Sequence, residues 1–409
     1  MLIGLVIGLL LPGGKWGIAR ADGGEQEFDE PQPRALEVIE GDAHWKVTEQ
    51  VFWGEFPDGM RFEIAVESDA GELANVRVVW THAPGNNTRR SRGATFDEES
   101  GRWVAEWPHN RGDVPPWVLV RYHWEVTDQA GNRLITAEQD EIYADADNEA
   151  RWNHAESEDV VVHWIDLPEE YGEKTIEAMA ARRDFFEQAW GGLLPYRPRV
   201  ILYGTSARAE YEEALGRQAA AGGGITVGTT SDDWGGTIQY ALFSETADSM
   251  AYGTVLHEIA HLYQGEFAQL PVGWFIEGNA EFFSLARDID YREWGRRRLL
   301  SGDPLSFAHG FSIRGRTFRD GYQLGATVFD YLVETYGLDA HRQIWELIGQ
   351  NVPAFEAIER VTGVTIEQFE MDWRRWMGVD TPPPTLPPSP TPLIDLFSFP
   401  TPTFSAPGG

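Results

Sequence analysis

The sequence contains no cysteine among its 409 residues. Disulfide bonds and thiolate metal sites are therefore excluded, and any bound metal ion must be held by nitrogen and oxygen ligands. Lysine is also scarce, since it occurs only at Lys15, Lys46 and Lys174. Beyond the N-terminus, no stretch is both long enough and apolar enough to predict a transmembrane helix.

Basic residues are few relative to acidic ones. The chain carries 33 Lys and Arg against 65 Asp and Glu, which gives a formal net charge of -32. A negative field of this size repels nucleic acids and anionic lipid headgroups, so we predict no nucleic-acid partner. The hydrophobic fraction of 42% and the aromatic fraction of 12% are sufficient for the cores of two ordinary domains.

The N-terminus resembles a secretory signal peptide. An apolar run from Leu2 to Leu11 ends at Pro12 and is too short to cross a bilayer comfortably. A small-x-small pattern follows at 19–21, although no basic residue precedes the apolar run. We predict that residues 1–21 are a signal peptide cleaved after Ala21 and that the protein is secreted or extracytoplasmic. The alternative is a buried segment or a misassigned start.

Residues 36–145 show the pattern of an all-β domain. Short runs of alternating apolar residues, such as RFEIAVES, NVRVVWT and WVLVRYHWEVTD, are separated by the turn signals PDG, PGNN and QAGN. Period-two runs at this spacing predict an antiparallel β-sandwich of the immunoglobulin or fibronectin type.

After an acidic link at Ala144–Ala150 the pattern changes. Strand and helix patterns alternate up to Thr246, and the chain beyond that residue is helical in pattern, with stops at Gly265, Gly337, Gly363 and Gly378. We therefore predict an α+β domain over residues 150–378 with a mostly helical C-terminal lobe. Residues 379–409 are proline-rich and predicted to be disordered. A spacer giving cell-surface association is the alternative to a plain solvated tail.

The stretch TVLHEIAHLYQGEFAQLPVGWFIEGNAEFF carries the strongest chemical signal. His257 and His261 are four residues apart, which places both imidazoles on one face of a helix, where they can share one zinc ion. In this H-E-x-x-H arrangement Glu258 is placed to accept a proton from a metal-activated water.

A third ligand is expected from the second helix of this stretch, which begins after the breakers Pro271 and Gly273. Glu277 and Glu281 are four residues apart and share a face. We predict that Glu277 completes the zinc site and that Glu281 fixes the free nitrogen of a ligand histidine, although the reverse order stays open. The competing interpretation, a buried helical hairpin without metal, leaves two buried histidines that are costly without partners.

Two motifs in this stretch resemble those of a known superfamily. A metzincin requires glycine and histidine where this chain has Gln264 and Phe267, so that class is excluded. HEIAH followed by WFIEGNAEFF is similar to the gluzincin metallopeptidases, the superfamily of thermolysin and the zinc aminopeptidases, and most similar to the peptidase MA-like family. The resemblance covers about Val160 to Met377 and implies a gluzincin-type fold and zinc-dependent hydrolysis of peptide bonds.

The resemblance also assigns roles to residues. It implies zinc ligation by His257, His261 and Glu277, with Glu258 as the general base and Glu281 as the acid of the outer shell.

It further suggests that Tyr322, in DGYQLGATVFDYL, stabilises the oxyanion, although Leu324 stands where the aminopeptidase motif has lysine. A core tyrosine is the alternative, and His309 is a spare candidate for the same task.

The segment that would bind substrate, upstream of the HEIAH motif, differs from that of the aminopeptidases. Their G-x-M-E-N stretch is absent, and the glycine-rich segment Gly222–Gly228 suits an edge strand that pairs with extended substrate. We therefore predict a secreted zinc peptidase acting on peptides or proteins, with endopeptidase activity slightly favoured over aminopeptidase activity. The alternatives are hydrolysis of a non-peptide bond and a secreted binding or adhesion protein with a non-catalytic peptidase-like domain.

Overall fold

The structure is a computed structural model that combines β-sheets in the N-terminal half with a helical C-terminal region. It describes residues 18–19, 38–82, 89–108, 114–215, 228–231, 234–242, 245–267, 273–302, 305–307 and 320–383. In chain order the strands are β1 (Ile18–Ala19), β2 (Val38–Glu40), β3 (Trp45–Glu55), β4 (Gly59–Ser68), β5 (Leu73–Thr81), β6 (Arg90–Gly93), β7 (Thr95–Asp97), β8 (Arg102–Pro108), β9 (Val118–Asp128), β10 (Arg133–Ile135), β11 (Gln139–Tyr143), β12 (Trp152–Glu156), β13 (Val161–Ile165), β14 (Arg199–Tyr203), β15 (Gly228–Ser231) and β16 (Gly236–Tyr240).

The helices lie mainly in the second half of the chain. In chain order the longer ones are α1 (Glu170–Trp190), α2 (Arg208–Leu215), α3 (Leu256–Gly265), α4 (Gly273–Phe283), α5 (Tyr291–Leu300), α6 (Gly325–Tyr336), α7 (Leu338–Gly349), α8 (Ala354–Thr362) and α9 (Ile366–Trp376). Wider π-helical turns at Met250–Val255 and Asp320–Leu324 lead directly into α3 and α6. No helix among the described residues combines the length and apolar character needed to cross a membrane.

Two antiparallel sheets form the N-terminal part. One has the strand order β3-β4-β8-β7, and the other has the order β2-β10-β9-β5-β6, with β11 also paired to β9. The side chains between them share one core, because Phe62 of β4 packs against Trp80 of β5 and Tyr122 of β9 at ring-centroid distances of 5.4 and 5.2 Å. The structure therefore has antiparallel sheets here, as the sequence predicts, and the immunoglobulin or fibronectin type stays a prediction.

A mixed sheet lies between these antiparallel sheets and the helices. Its order is β1-β12-β13-β14-β16-β15, with parallel pairing among β13, β14 and β16 and antiparallel pairing at both edges. Successive side chains of a strand point to opposite faces. Val200 and Leu202 accordingly enter the helical core, whereas Ile201 and Tyr203 enter the core shared with the N-terminal sheets. Because both faces are covered, all five residues of β14 are buried, and four of them form a continuous run, Val200–Tyr203, of apolar and aromatic side chains.

The acidic link predicted at Ala144–Ala150 is folded. Residues Ala146–Arg151 form a 3₁₀ helix, and the buried carboxylate of Asp145 accepts a hydrogen bond from the Trp152 indole nitrogen at 2.9 Å. Strand β12 begins directly afterwards and was not expected from the sequence pattern. The turn therefore joins the two halves of the protein by ordered contacts.

Two helices of the C-terminal region end directly before glycines that the sequence predicted as helix stops. α6 stops before Gly337 and α8 stops before Gly363, and both glycines have positive φ angles, of 86° and 75°. Glycine is favoured there because other side chains are strained in that conformation. The predicted domain limits at residues 36–145, 150–378 and 379–409 stay predictions.

Candidate metal centre

Helix α3 presents polar side chains from an otherwise apolar segment. Leu256, Ile259 and Ala260 are fully buried in the helical core and hold the helix in place. His257 is only 7% exposed, and His261 on the next turn is half-buried. The local sequence thus forms a helix because of its buried apolar face, and the two histidines face the neighbouring α4.

Helix α4 is held close to α6 by a contact between two glycines. A Cβ atom built on Gly278 would lie 2.5 Å from the Cα of Gly325, and one built on Gly325 would lie 2.9 Å from the carbonyl oxygen of Trp274. No other residue fits at either position without a shift of backbone. This close approach sets the position of Glu277, the residue before Gly278, relative to α3.

Three atoms that could bind one metal ion meet between α3 and α4. The Nε2 atoms of His257 and His261 are 3.2 Å apart, and the Oε2 atom of Glu277 lies 3.3 and 3.4 Å from them. Ligands bound tetrahedrally at about 2.0–2.1 Å are separated by about 3.3 Å, so the triangle has the size that a zinc ion requires. Two imidazoles and a carboxylate are also a donor set suited to zinc. The described residues contain no other such group of three or more His, Cys, Asp or Glu side chains.

The negative charges around His257 keep this ring protonated when no metal is bound. Burial lowers the pKa of His257, but hydrogen bonds to Glu277 and Glu281 outweigh it and raise the pKa to about 10. Burial raises the pKa of Glu277, but hydrogen bonds to His257 and His261 bring it well below its usual range. The group is thus an ion pair in which a proton provides the positive charge that a metal ion can replace.

The outer nitrogen of His257 has an acidic partner. Its Nδ1 atom lies 3.0 Å from Oε2 of Glu281, and the Tyr291 hydroxyl donates a hydrogen bond to the other carboxylate oxygen. Arg287 lies over the Tyr291 ring at 4.9 Å and forms a two-pronged ion pair with Asp330 at 2.6 and 2.9 Å. Glu281 thus contacts the free nitrogen of His257, and its predicted role stays a prediction. The sequence contained no signal that pointed to Tyr291 or Arg287.

The outer nitrogen of His261 has an amide partner instead. Its Nδ1 atom lies 2.7 Å from Oε1 of Gln264, a contact that the sequence did not reveal. Gln264 in turn contacts Asn279, which lies between Glu277 and Glu281 on α4. The spacing of three residues between His261 and Gln264 places them on one helical face and is the signal that was missed.

Tyr322 lies at the centre. Its ring stacks on His257 at 5.4 Å with planes 8° apart, and burial together with the nearby Glu277 carboxylate raises its pKa far above the usual range. The π-helical turn that carries Tyr322 begins at Asp320, whose buried carboxylate is bound by Arg298 through two hydrogen bonds of 2.9 Å.

Glu258 is half-buried beside the ligand histidines. Burial lowers the pKa of His261, whereas Glu277 and Glu258 raise it, with a net increase. The charge of Glu258 also contributes to the raised pKa of Tyr322.

Two predicted features fall wholly or largely outside the described residues. His309 is outside them, and so is the predicted edge strand at Gly222–Gly228 except for its last residue. Gly228 begins β15 (Gly228–Ser231), which is an edge of the mixed sheet among the described residues and packs near α3. The prediction for the rest of Gly222–Gly228 stays a prediction.

Comparison with known proteins gives only distant similarity. No protein family and no curated protein matches this sequence. The crystal structure of an M1 zinc metallopeptidase from Deinococcus radiodurans is similar with a TM-score of 0.33 and 14% identity, over 86% of this chain and 94% of that one. A polysaccharide deacetylase from Bacillus cereus is similar with a TM-score of 0.18 and 10% identity, over 61% of this chain and 80% of that one. Likeness at this level carries no argument about activity, so function is argued from the centre itself.

Proposed function

We propose that this protein is a zinc metallopeptidase of the gluzincin type, secreted or extracytoplasmic, with an immunoglobulin- or fibronectin-like sandwich before the catalytic domain. The proposal is carried by the triangle of ligand atoms from His257, His261 and Glu277, whose edges of 3.2 to 3.4 Å match tetrahedral zinc. A triangle of three protein ligands leaves one position open, as in catalytic rather than structural zinc sites.

His257, His261 and Glu277 would hold the ion, and Glu281 would fix the tautomer of His257 by accepting from its Nδ1 atom. A zinc ion held there supplies an electrophile that polarises a carbonyl group and lowers the pKa of a water molecule. The donor set contains two neutral ligands and one carboxylate once the centre has lost its protons.

Glu258 and Tyr322 carry the remaining steps. Glu258 takes one proton from the attacking water and passes it to the amide nitrogen, so that a carbon–oxygen bond forms, the carbon–nitrogen bond breaks, and an acid and an amine leave. Tyr322 donates a hydrogen bond to the carbonyl oxygen as negative charge develops there. Its raised pKa keeps the hydroxyl protonated at neutral pH, as this role requires.

We further propose that the substrate is a peptide or protein bound in extended form along β15. Among the described residues, this strand pairs with β16 on one side and is an edge of the mixed sheet. An edge strand offers main-chain hydrogen-bonding groups to an added strand, and this pairing does not require a free substrate terminus. It therefore favours cleavage inside a chain.

The test exposes a peptide library to the zinc-loaded full-length protein and to its Glu258→Gln variant, with products identified by mass spectrometry. Cuts made only by the unaltered protein support the proposal, and their positions separate internal from terminal cleavage. Equal products from both proteins would remove the general base from the mechanism. No cuts by a protein that binds zinc would refute peptidase activity on unbiased substrates and leave the binding-protein alternative.

A further inference from the structure

We propose that Gln264, Asn279 and His341 form a hydrogen-bond relay that positions His261, and that they are positioning residues of the metal centre. The inference rests on the proposed function, because it concerns the same centre, but its main test does not depend on bound zinc.

The relay is a continuous chain of four hydrogen bonds. It runs from the Nδ1 atom of His261 to Gln264 at 2.7 Å, from Gln264 to Asn279 at 3.0 Å, from Asn279 to His341 at 2.8 Å, and from His341 to the carbonyl oxygen of Ala189 at 3.0 Å. It therefore connects α3, α4 and α7 to the last turn of α1. The carbonyl at this end of α1 lacks a partner within its own helix, and His341 provides one.

The donor and the acceptor in each hydrogen bond of the relay follow from the last bond, at Ala189. The carbonyl oxygen of Ala189 can only accept, so the Nδ1 atom of His341 donates to it and the Nε2 atom is left without a hydrogen. The amide nitrogen of Asn279 donates to that bare Nε2 atom, which turns the Asn279 oxygen towards Gln264.

The same reasoning assigns the donors and acceptors between Asn279 and His261. The amide nitrogen of Gln264 donates to Asn279 and to the carbonyl oxygen of Ile276 at 2.9 Å, so its oxygen must face His261. His261 therefore carries a hydrogen on Nδ1, so Nε2, which faces His257 and Glu277, is the nitrogen left to bind a metal ion. This is the tautomer that a metal ligand needs.

Burial makes the arrangement difficult to reverse. Gln264 is 1% exposed, and Asn279 and His341 are 0% exposed, so water cannot replace a lost partner. Turning either amide over would place two acceptors against each other. His341 is enclosed by Trp190 and Phe283, and burial lowers its pKa to about 4, which keeps the ring neutral.

The relay also explains why the two histidines have different partners. His257 is oriented by the carboxylate of Glu281, and Glu258 and Glu277 add two further negative charges nearby. An uncharged amide can orient His261 without adding a fourth carboxylate to the group. Gln264 is suited to this task because the relay holds its oxygen in the accepting position.

The main test is the substitution Gln264→Glu in the full-length, metal-free protein. A carboxylate has no hydrogen for Asn279, so the Asn279 amide should turn over and present its oxygen to His341, whose Nε2 atom must then carry a hydrogen. Long-range ¹H–¹⁵N NMR of the His341 ring reads this directly. We expect hydrogen on Nδ1 alone in the unaltered protein and on Nε2 in the variant. An unchanged His341 spectrum would overturn the relay, since a merely space-filling Gln264 cannot affect a ring two side chains away.

The second test measures zinc affinity by competition with a chelator. Asn279→Leu and His341→Phe should each weaken zinc binding by roughly 10-fold or more, the range found for partners behind metal ligands. Thr136→Val is the matched control, because it removes a buried hydroxyl that accepts a hydrogen bond from the backbone nitrogen of Trp124 in the N-terminal sheets, and it should leave zinc affinity unchanged. Unchanged affinity in both relay variants would overturn the positioning role while the metal site stands. Absence of zinc binding by the unaltered protein would instead overturn the proposed function, and the positioning role with it.

Discussion

Glu281 faces the Nδ1 atom of His257 at 3.0 Å, on the opposite edge of the ring from the Nε2 atom that faces Glu277 at 3.3 Å. One imidazole is thus held between two carboxylates that lie one helical turn apart on α4. Only Glu277 also approaches His261, at 3.4 Å, so it alone completes a triangle with both histidines. This geometry favours Glu277 as the third ligand and Glu281 as the partner of His257, an order that the spacing in the sequence leaves open.

The two glutamates should therefore respond differently to removal. Glu277→Ala takes away a ligand and should abolish stoichiometric zinc binding. Glu281→Ala leaves all three ligands and should weaken zinc by roughly 10 to 100-fold, because only the orientation of His257 is lost. Metal content after dialysis and chelator competition measure both. The opposite ranking would exchange their roles.

Glu258→Gln should retain zinc and lose turnover. The amide has the shape of the carboxylate but cannot accept and return the proton, and general acid–base catalysis contributes roughly 10² to 10⁴-fold to rate. The measurements are kcat on a peptide identified from the library and zinc content of the same sample. Loss of zinc together with activity would indicate that Glu258 supports the centre instead of acting as its base.

Tyr322→Phe separates an oxyanion donor from a core tyrosine. The phenyl ring can keep the stacking on His257, while the hydroxyl is lost. We expect kcat to fall by roughly 10² to 10³-fold with KM and zinc affinity little changed, because a hydrogen bond made mainly in the transition state is removed. An unaffected kcat would assign Tyr322 to packing.

Much of the centre could be predicted because its signals are local. His257 and His261 lie on one helix, as do Glu277 and Glu281, and a spacing of four residues determines which side chains share a face. The sequence also predicted the antiparallel β-region, because alternation of apolar residues is a local property of strands.

The features that were missed depend on contacts between distant segments. Asn279 and His341 are 62 residues apart in the chain, and no spacing rule relates them. Strand β12 escaped notice because it is short, and His154 and Glu156 interrupt its apolar pattern. The link before it carries three acidic residues and resembled a solvated linker, yet Asp145 is buried beside Trp152, which follows it in the chain.

The glycine contact between α4 and α6 should be needed for both stability and metal binding. In Gly278→Ala the new methyl group meets the Gly325 backbone at 2.5 Å, so the helices must separate. Overpacking of this kind costs about 1–3 kcal/mol, and the shift moves Glu277 away from α3. Urea unfolding and zinc affinity test this, with Gly192→Ala as control, because a Cβ atom there meets no atom within 4 Å. Equal effects at both glycines would argue against a special role for the contact.

Zinc binding should release a proton and weaken as the pH falls. The carboxylates raise the pKa of His257 from 6.5 to about 10, so at pH of about 8 the metal-free ring is charged and zinc must displace its proton. For each proton that is released, the apparent zinc affinity falls about tenfold per unit decrease in pH. Calorimetry in buffers of different ionisation enthalpy can measure how many protons are released.

The stability of the metal-free protein should change with pH in the opposite direction. The raised pKa of His257 contributes stability that is complete below pH 6.5 and is lost as the pH rises through about 10. The lowered pKa of Glu277 contributes stability above pH 4.5 that is lost only in stronger acid. Between these limits the metal-free ring keeps its proton, but a higher pH makes that proton easier for zinc to displace, so the increase in Tm caused by zinc should grow from about pH 6 to about pH 9. His261→Ala, which lacks a ligand, should show no such growth. A zinc-induced increase that is independent of pH would mean that the histidines are already neutral before the metal binds.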